Sequence, residues 1–314
     1  MTLPGPVVSI VGPTASGKSA LADLVACEVD SDVISVDAMQ VYRGMDIGTA
    51  KTPAAERLVP LRMVDVCEPT ADYSVQLYQR DCRALIDEEL GQGTVPVLCG
   101  GTGLYLNAVI DEMDFPRGEK GDSKRSAYEE LASELGPSGL HHVLEGRDPA
   151  SAALIHPNNV RRVVRALEML DEGKSYAEQN KGLKKRAPHY DARIWGLSMD
   201  RARLYERIEA RVDQMMDEGL LQEVETLASQ GLSRQSTAGQ AIGYKEILDY
   251  LDGSTTLDDA VATIKMRTRR YAKRQISWFK NDGRVRWLDL DSMTLEEARD
   301  IVLADLRNSL EGTR

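Results

Sequence analysis

No run of ~18 apolar residues occurs anywhere in the chain, so no segment reads as a membrane-spanning helix. The few residues ahead of Ile10 show neither a positively charged n-region nor an apolar h-region, and a soluble cytoplasmic protein is expected. Cysteine is scarce. Cys27, Cys67, Cys82 and Cys99 stand singly, without the paired spacing of a zinc site or a dithiol redox motif, which leaves reduced core thiols as the expectation. Internal repeats and low-complexity tracts are also missing, which excludes a repeat array. Positive charge is in deficit, at 39 Lys and Arg against 50 Asp and Glu. The resulting net charge of −11 weighs against nucleic acid as a partner unless basic residues are concentrated locally.

What is present suffices for a sizeable core: 42% of 314 residues are hydrophobic. At ~100–200 residues per domain this makes one large domain or two smaller ones. Short β-branched runs alternate with helical patterns: "PVVSIV" before a Gly-rich loop, "VISV" at 33–36, "RMVDV" at 62–66, "VPVLC" at 95–99, "RIWGLSM" at 193–199 and "VRWLDL" at 285–290. Such alternation predicts an α/β fold, a largely parallel sheet with crossover helices, two of them starting near Ser16 and spanning Tyr73–Leu90. Between the polar stretches "DFPRGEKGDSKRS" and "EGKSYAEQNKGLKKRAPHYDA" the strand signal stops and a helical pattern takes over. Residues 1–114 and 193–314 therefore form the expected core, with 115–192 a helical insertion. Leu204, Ile208, Val212, Met215, Leu220, Val224 and Leu227 predict one long amphipathic helix, and the terminal "RNSLEGTR" a frayed end.

Gly12, Gly17, Lys18 and Ser19 complete G-x-x-x-x-G-K-[ST] between an apolar strand and a helix start, the context that motif needs. Backbone N–H groups of such a loop wrap phosphate, the helix N-terminus adds its positive dipole end, Lys18 neutralises charge, and the Ser19 hydroxyl is placed to reach Mg²⁺. A di- or triphosphate is the expected ligand. In "VISVDAMQVYRGMDIGTAK" a strand ends on Asp37. Carboxyl ends of strands line the ligand crevice of open α/β sheets, so Asp37 should share a cavity with Lys18. There it would hold Mg²⁺, orient water or accept a proton from a substrate amine, unless it is a helix N-cap. "CGGTGLYL" repeats the arrangement: Thr102 carries a hydroxyl, and Gly100, Gly101 and Gly103 would let a ligand approach the backbone. Arg211 borders the apolar stripe of the long helix, whereas Arg201, Arg203 and Arg207 fall on its solvated side. An arginine there needs an anion, either a pyrophosphate or a neighbouring carboxylate.

The local basic concentration exists. "TIKMRTRRYAKRQISWFKNDGRVR" holds Lys265, Arg267, Arg269, Arg270, Lys273, Arg274, Lys280, Arg284 and Arg286 against Asp282, a net of +8 that leaves −19 on the rest of the chain. Concentrated on a single helix with Tyr271, Trp278 and Phe279 interleaved, it reads as a polyanion-binding face. Arg161, Arg162 and Arg165 make a smaller cluster inside the insertion.

"GPTASGKS", "ISVDAMQVYRGMDIGTAK", "GGTGLYL", "RRVVRALE", "GQAIGYKE" and "RTRRYAKRQISWFK" together, in order and over nearly the whole chain, resemble the bacterial tRNA dimethylallyltransferases (tRNA isopentenyltransferases). The resemblance implies a P-loop NTPase-like core with helices on both faces, whose loop, Gly12 and Thr14 to Ser19 (Thr14, Ala15, Ser16, Gly17, Lys18, Ser19), holds the diphosphate of dimethylallyl diphosphate, with Mg²⁺ on Ser19. It implies alkyl transfer, without ATP hydrolysis, to the exocyclic amine of the adenosine 3′ of the anticodon. Asp37 matches the family's catalytic base and Arg211 its catalytic arginine, with Lys18 on the leaving diphosphate. Contacts to the tRNA anticodon arm would fall on Asp37, Ala38, Met39 and Gln40, on Thr102 and Gly103, on Arg161, Arg162 and Arg165, on Gln240, Gly243, Tyr244 and Lys245, and on Arg269, Lys273 and Lys280. Arg161 stands where many relatives carry glutamine, and Gln240 where some carry arginine. No repeated apolar surface argues for a dimer, so a monomer is expected. A small-molecule P-loop kinase, an isopentenyltransferase acting on free adenine nucleotides and a non-catalytic RNA-binding ATPase are the competing readings; the first two would have no use for the basic helix.

Overall fold

The computed structural model describes residues 3–115, 123–184 and 187–311, so parts of both polar stretches and the last three residues of the chain lie outside the described residues. The chain divides into two compact units, Met1–Asp111 with Pro188–Arg314, and Glu112–Ala187.

The larger unit carries six strands: β1 (Val7–Val11), β2 (Val33–Val36), β3 (Leu61–Arg62), β4 (Val97–Gly100), β5 (Ala192–Ser198) and β6 (Arg286–Asp289). They form one sheet in the order β3-β2-β4-β1-β5-β6, every pairing parallel. Parallel strands buried on both faces need apolar residues on both, and β1 supplies them: Val7 and Val11 enter one core cluster, Val8 and Ile10 the other. Helices α1 (Lys18–Glu28), α2 (Val75–Gly91) and α3 (Gly103–Ile110) lie in the first half of the unit. Ser74 caps α2 by accepting the Leu77 N–H at 3.2 Å. The predicted strand at 62–66 shrinks to Leu61–Arg62, because Met63 and Asp65 turn the chain through positive φ (59° and 56°).

The smaller unit is helical: α4 (Ser123–Arg147), broken at Gly136–Pro137, α5 (Pro149–Ala152), α6 (Val160–Asp171) and α7 (Tyr176–Lys184). Leu140, Leu144, Ile155, Val163 and Leu167 form its core. The stretch read as a second polar break thus contains a helix. Asp148 ties α5 to the turn before α7, accepting from the Ser151 N–H (3.0 Å) and the Ser175 hydroxyl (2.8 Å).

The larger unit resumes with α8 (Arg201–Asp217), α9 (Leu220–Ser229), α10 (Tyr244–Leu251), α11 (Leu257–Lys280) and α12 (Leu295–Glu311). The single long helix expected over 204–227 is in fact α8 and α9. Gly219, at φ 102°, adopts a left-handed conformation that ends one helix and opens the next while the apolar stripe continues in register. The C-terminal residues expected to fray are helical as far as Glu311. Of the cysteines only Cys82 and Cys99 are buried; Cys27 is exposed, Cys67 is half-buried, and all four are free thiols.

Candidate active site

The sheet twists the carboxyl ends of β1, β2 and β4 toward one cavity of about 330 Å³ within the larger unit. The loop after β1 brings Thr14, Ala15, Lys18 and Ser19 to it, the turn after β2 brings Asp37 to Gln40, and the turn after β4 brings Thr102. Helix α8 contributes Arg211, the segment before α10 contributes Gln240 and Gly243, and the inner face of α11 closes the cavity.

The phosphate loop is tightly held. Ala15 (φ 63°) and Gly17 (φ 96°) turn it onto the N-terminus of α1, and the Lys18 ammonium donates to the Pro13 carbonyl at 3.3 Å. Burial pulls the Lys18 pKa down; nearby Cys99 and Asp37 pull it up, and Arg211 adds to the depression. Burial, with Arg207 as a like-charged neighbour, also lowers the Arg211 pKa against the opposing pull of Glu218. Among the described residues no carboxylate lies within ion-pair distance of Arg211, and the buried Ser16 hydroxyl has no hydrogen-bond partner. A desolvated lysine, an unpaired half-buried arginine and an orphaned hydroxyl around one loop are each costly alone and share one remedy, an anion. Of the two partners open to Arg211 in the sequence, the paired carboxylate is therefore absent among the described residues.

Asp37 sits at the end of β2. Its Oδ1 accepts the Met39 N–H at 2.8 Å, and Thr102 Oγ1 accepts the Ala38 N–H at 3.1 Å. It is thus a turn cap and a cavity residue at once. The glycines of the β4 turn admit other parts of the protein, and Gly100 also lines the cavity. A Cβ on Gly100 would meet the Val36 carbonyl at 2.0 Å, one on Gly101 the Gln275 amide at 2.0 Å, and one on Gly103 the Trp278 ring at 2.1 Å. The close approach read from their spacing is made by the protein itself, and Gly103 is buried beneath Trp278.

Several expected RNA contacts are also placed differently. Tyr244 is wholly buried with its hydroxyl bonded to Glu223, so it supports the cavity from behind. Lys245 is half-buried and donates to Gln240 Oε1 at 3.3 Å, while Gln240 itself faces the cavity. The basic stretch is not one helix: α11 ends at Lys280, Arg284 pairs with Asp111 and Asp282, and Arg286 on β6 pairs with Asp305. On α11 itself Lys265, Arg267 and Arg269 are paired with Asp213, Glu246 and Glu209. Arg270, Lys273 and Lys280 are exposed and carry no ion pair among the described residues. In the smaller unit Arg161 and Arg162 are exposed on α6, whereas Arg165 is paired with Glu168 at 3.3 Å.

The residue with the most consequential placement that sequence reading passed over is Gln275. Buried on α11, it accepts the Thr14 N–H at 3.0 Å and donates to the Gly101 carbonyl at 3.0 Å, bridging the phosphate loop to the β4 turn. Tyr271, one turn earlier, faces Thr102 and Gln275 and has its pKa pushed up to about 12, chiefly by burial. Arg207, assigned to the solvated side of its helix, reaches back to donate to the Ala15 carbonyl at 2.8 Å. Ile264, Thr268, Tyr271 and Gln275 recur at helical spacing opposite the exposed cations, a stripe that was present in the sequence but masked by the surrounding arginines and lysines. Gln275→Ala should leave a loop N–H and a turn carbonyl without partners. We expect a stability loss of about 1–3 kcal/mol in urea unfolding, together with weakened diphosphate binding in calorimetry.

A parallel sheet with this loop at the end of its first strand, anion-demanding cations around it and a carboxylate at the neighbouring strand end defines a P-loop-like α/β protein built to bind a phosphorylated ligand. The sequence profile of the IPP transferase family matches residues 40–282, and the chain belongs to that family. The tRNA dimethylallyltransferase of Carboxydothermus hydrogenoformans is 46% identical over 301 residues, 95% of this chain and 96% of that one. That of Geobacillus kaustophilus is 46% identical over 286 residues, 90% of each chain. Among solved structures, the full-length tRNA isopentenylpyrophosphate transferase of Bacillus halodurans superposes with a TM-score of 0.71 at 41% identity, covering 97% of this chain and 98% of its own. A eukaryotic dimethylallyltransferase captured acting on tRNA superposes with a TM-score of 0.80 at 28% identity, covering 97% and 80%.

Proposed function

We propose that the protein transfers the dimethylallyl group of dimethylallyl diphosphate to the exocyclic amine of the adenosine 3′-adjacent to the anticodon in tRNA, releasing diphosphate. The observation that carries this reading is the meeting of Lys18, Asp37 and Arg211 in one cavity, a carboxylate together with two desolvated cations. The amine's lone pair is delocalised into the adenine ring, so it needs a base as it reacts. In the transfer, nitrogen bonds to the allylic carbon, the carbon–oxygen bond to diphosphate breaks, and the amine proton passes to Asp37. Lys18, Arg211 and the loop N–H groups take up the charge accumulating on the diphosphate. Among the described residues no cluster of three or more His, Cys, Asp or Glu is placed to hold a metal unaided. A Mg²⁺ bound with the diphosphate would take Ser19 as a protein ligand and supply further charge neutralisation.

An adenine stacked in an anticodon loop cannot reach Asp37, so it would be flipped into the cavity past Met39, Gln40 and Gln240. The helical unit, with Arg161 and Arg162, would hold the anticodon arm, and the protein would work in the cytoplasm as a monomer. Incubation with labelled dimethylallyl diphosphate tests this directly, comparing unmodified tRNA with AMP as acceptor and following ATP loss in parallel. Label in AMP but not tRNA would support the free-nucleotide alternative, and ATP turnover would support a kinase or ATPase.

The exposed face of α11 supplies a separate expectation. Arg270, Lys273 and Lys280 lie three and seven residues apart and have no ion-pair partners to release among the described residues. Their triple alanine variant should weaken tRNA binding and flatten the log–log salt slope by ~0.7–0.9 per lost phosphate contact, with dimethylallyl diphosphate affinity spared. Arg269→Ala, which breaks the pair with Glu209, should change the slope less. Equal slopes for wild type and triple variant would remove α11 from the RNA interface.

A further inference from the structure

Past Gln40 the chain runs as a loop along the cavity, which Gly48, Thr49 and Ala50 line. A loop has no ladder to satisfy its backbone, and here one side chain substitutes for it. Glu223, in the first turn of α9, accepts the N–H groups of Asp46 and Ile47 on Oε2 at 3.0 and 2.8 Å, and that of Gly48 on Oε1 at 3.2 Å. The Tyr244 hydroxyl donates to the same Oε1. Three successive N–H groups converging on one point form an anion-binding concavity, and the chain fills it with its own carboxylate. The Tyr244 ring fits because residue 48 lacks a Cβ; one built there would meet the ring at 2.5 Å.

On the far side of Thr49 and Ala50 the buried Lys51 ammonium donates to the Tyr42 carbonyl (2.7 Å), Asp46 Oδ1 (2.7 Å) and Asp65 Oδ1 (2.6 Å). Clamped at both ends, the loop presents the carbonyls of Thr49 and Ala50 to Gln40 Nε2 at 3.1 and 3.4 Å, while Gln40 Oε1 accepts the Ser35 hydroxyl at 2.7 Å. Two carbonyls require the NH₂ end, so the amide of Gln40 has one orientation. It lies three residues from Asp37 in the cavity wall. Apolar packing would hold this loop down; only directional bonds fix where its carbonyls point.

We infer that Glu223 is a positioning residue for acceptor transfer, setting the 46–50 loop and through it the Gln40 amide beside Asp37. The inference rests on the transfer reaction proposed above. Glu223→Gln keeps the shape but has one acceptor oxygen, so it opposes the Gly48 N–H or the Asp46 and Ile47 pair with an NH₂ group. The test measures single-turnover transfer to an anticodon stem-loop RNA at saturating dimethylallyl diphosphate, with diphosphate-substrate affinity and thermal midpoint alongside. Glu223→Gln is expected to transfer about tenfold or more slowly, because small displacements at a reacting centre are costly, while affinity for dimethylallyl diphosphate stays within about twofold. Combined with Gln40→Ala it should add little to the loss of Gln40→Ala alone, since residues acting through one another are non-additive. Tyr244→Phe, which removes one of four donors and keeps the ring, should show a smaller loss with the same non-additivity, and it decides the matter if Glu223→Gln does not fold. Wild-type transfer by Glu223→Gln, or losses that multiply with Gln40→Ala, would overturn the inference. A wild-type protein inactive on RNA would instead overturn the reaction itself and this inference with it.

Discussion

Asp37→Ala is expected to lower the single-turnover rate of transfer to tRNA by ~10²–10⁴-fold, the usual worth of a positioned proton acceptor. Since Asp37 Oδ1 also caps the turn at Met39, alanine alone would confound loss of the base with loss of the cap. Asp37→Asn separates them. Its amide oxygen can still accept the Met39 N–H, but the side chain cannot take the amine's proton. Both variants should therefore be nearly inactive, while only the alanine variant should lose stability, by about 0.5–2 kcal/mol as for other caps. Affinity for tRNA should be retained in both, because neither substitution removes a cation. An asparagine variant within tenfold of wild type in the chemical step would confine Asp37 to its turn.

Arg211→Ala is expected to cost about 10²–10³-fold in turnover, in the range of other groups that stabilise charge developing on a leaving or reacting oxygen, and to raise the apparent constant for dimethylallyl diphosphate. Stability should move the other way. Arg211 is desolvated beside Arg207 and no carboxylate pairs with it among the described residues, so its removal relieves an uncompensated charge. The thermal midpoint of the variant should equal or exceed that of wild type, and added inorganic diphosphate should stabilise wild type more than the variant. Were Arg211 instead half of a buried structural ion pair, its removal would destabilise by about 3–5 kcal/mol, and a lowered midpoint with normal kinetics would establish that.

The elements that could be read from the chain are those whose signal is local. Apolar runs marked the parallel strands, the Gly-rich loop fixed the start of α1, and the strand end at Asp37 pointed to the crevice, because strand periodicity and loop chemistry are properties of neighbouring residues. Charge was less legible. A run of cations along "TIKMRTRRYAKR" looks uniform in sequence, yet Glu209, Asp213 and Glu246, distant in the chain, neutralise three of them. The same blindness hid Gln275, whose bonds reach Thr14 and Gly101 across more than 170 positions, and the close approach of Val36, Gln275 and Trp278 to the β4 glycines.

By itself the sequence determined the phosphate loop, the order of the strands along the chain and the family, since each rests on short-range pattern or on motifs kept in register. Only the tertiary structure decided which charges are paired, that Arg211 faces the cavity with no carboxylate in ion-pair reach among the described residues, and that Glu223 and Lys51 clamp the loop that lines the cavity with Asp37. The physical reason is that hydrogen bonds and desolvation depend on atoms brought within a few ångströms by folding, and separation along the chain carries no information about that distance.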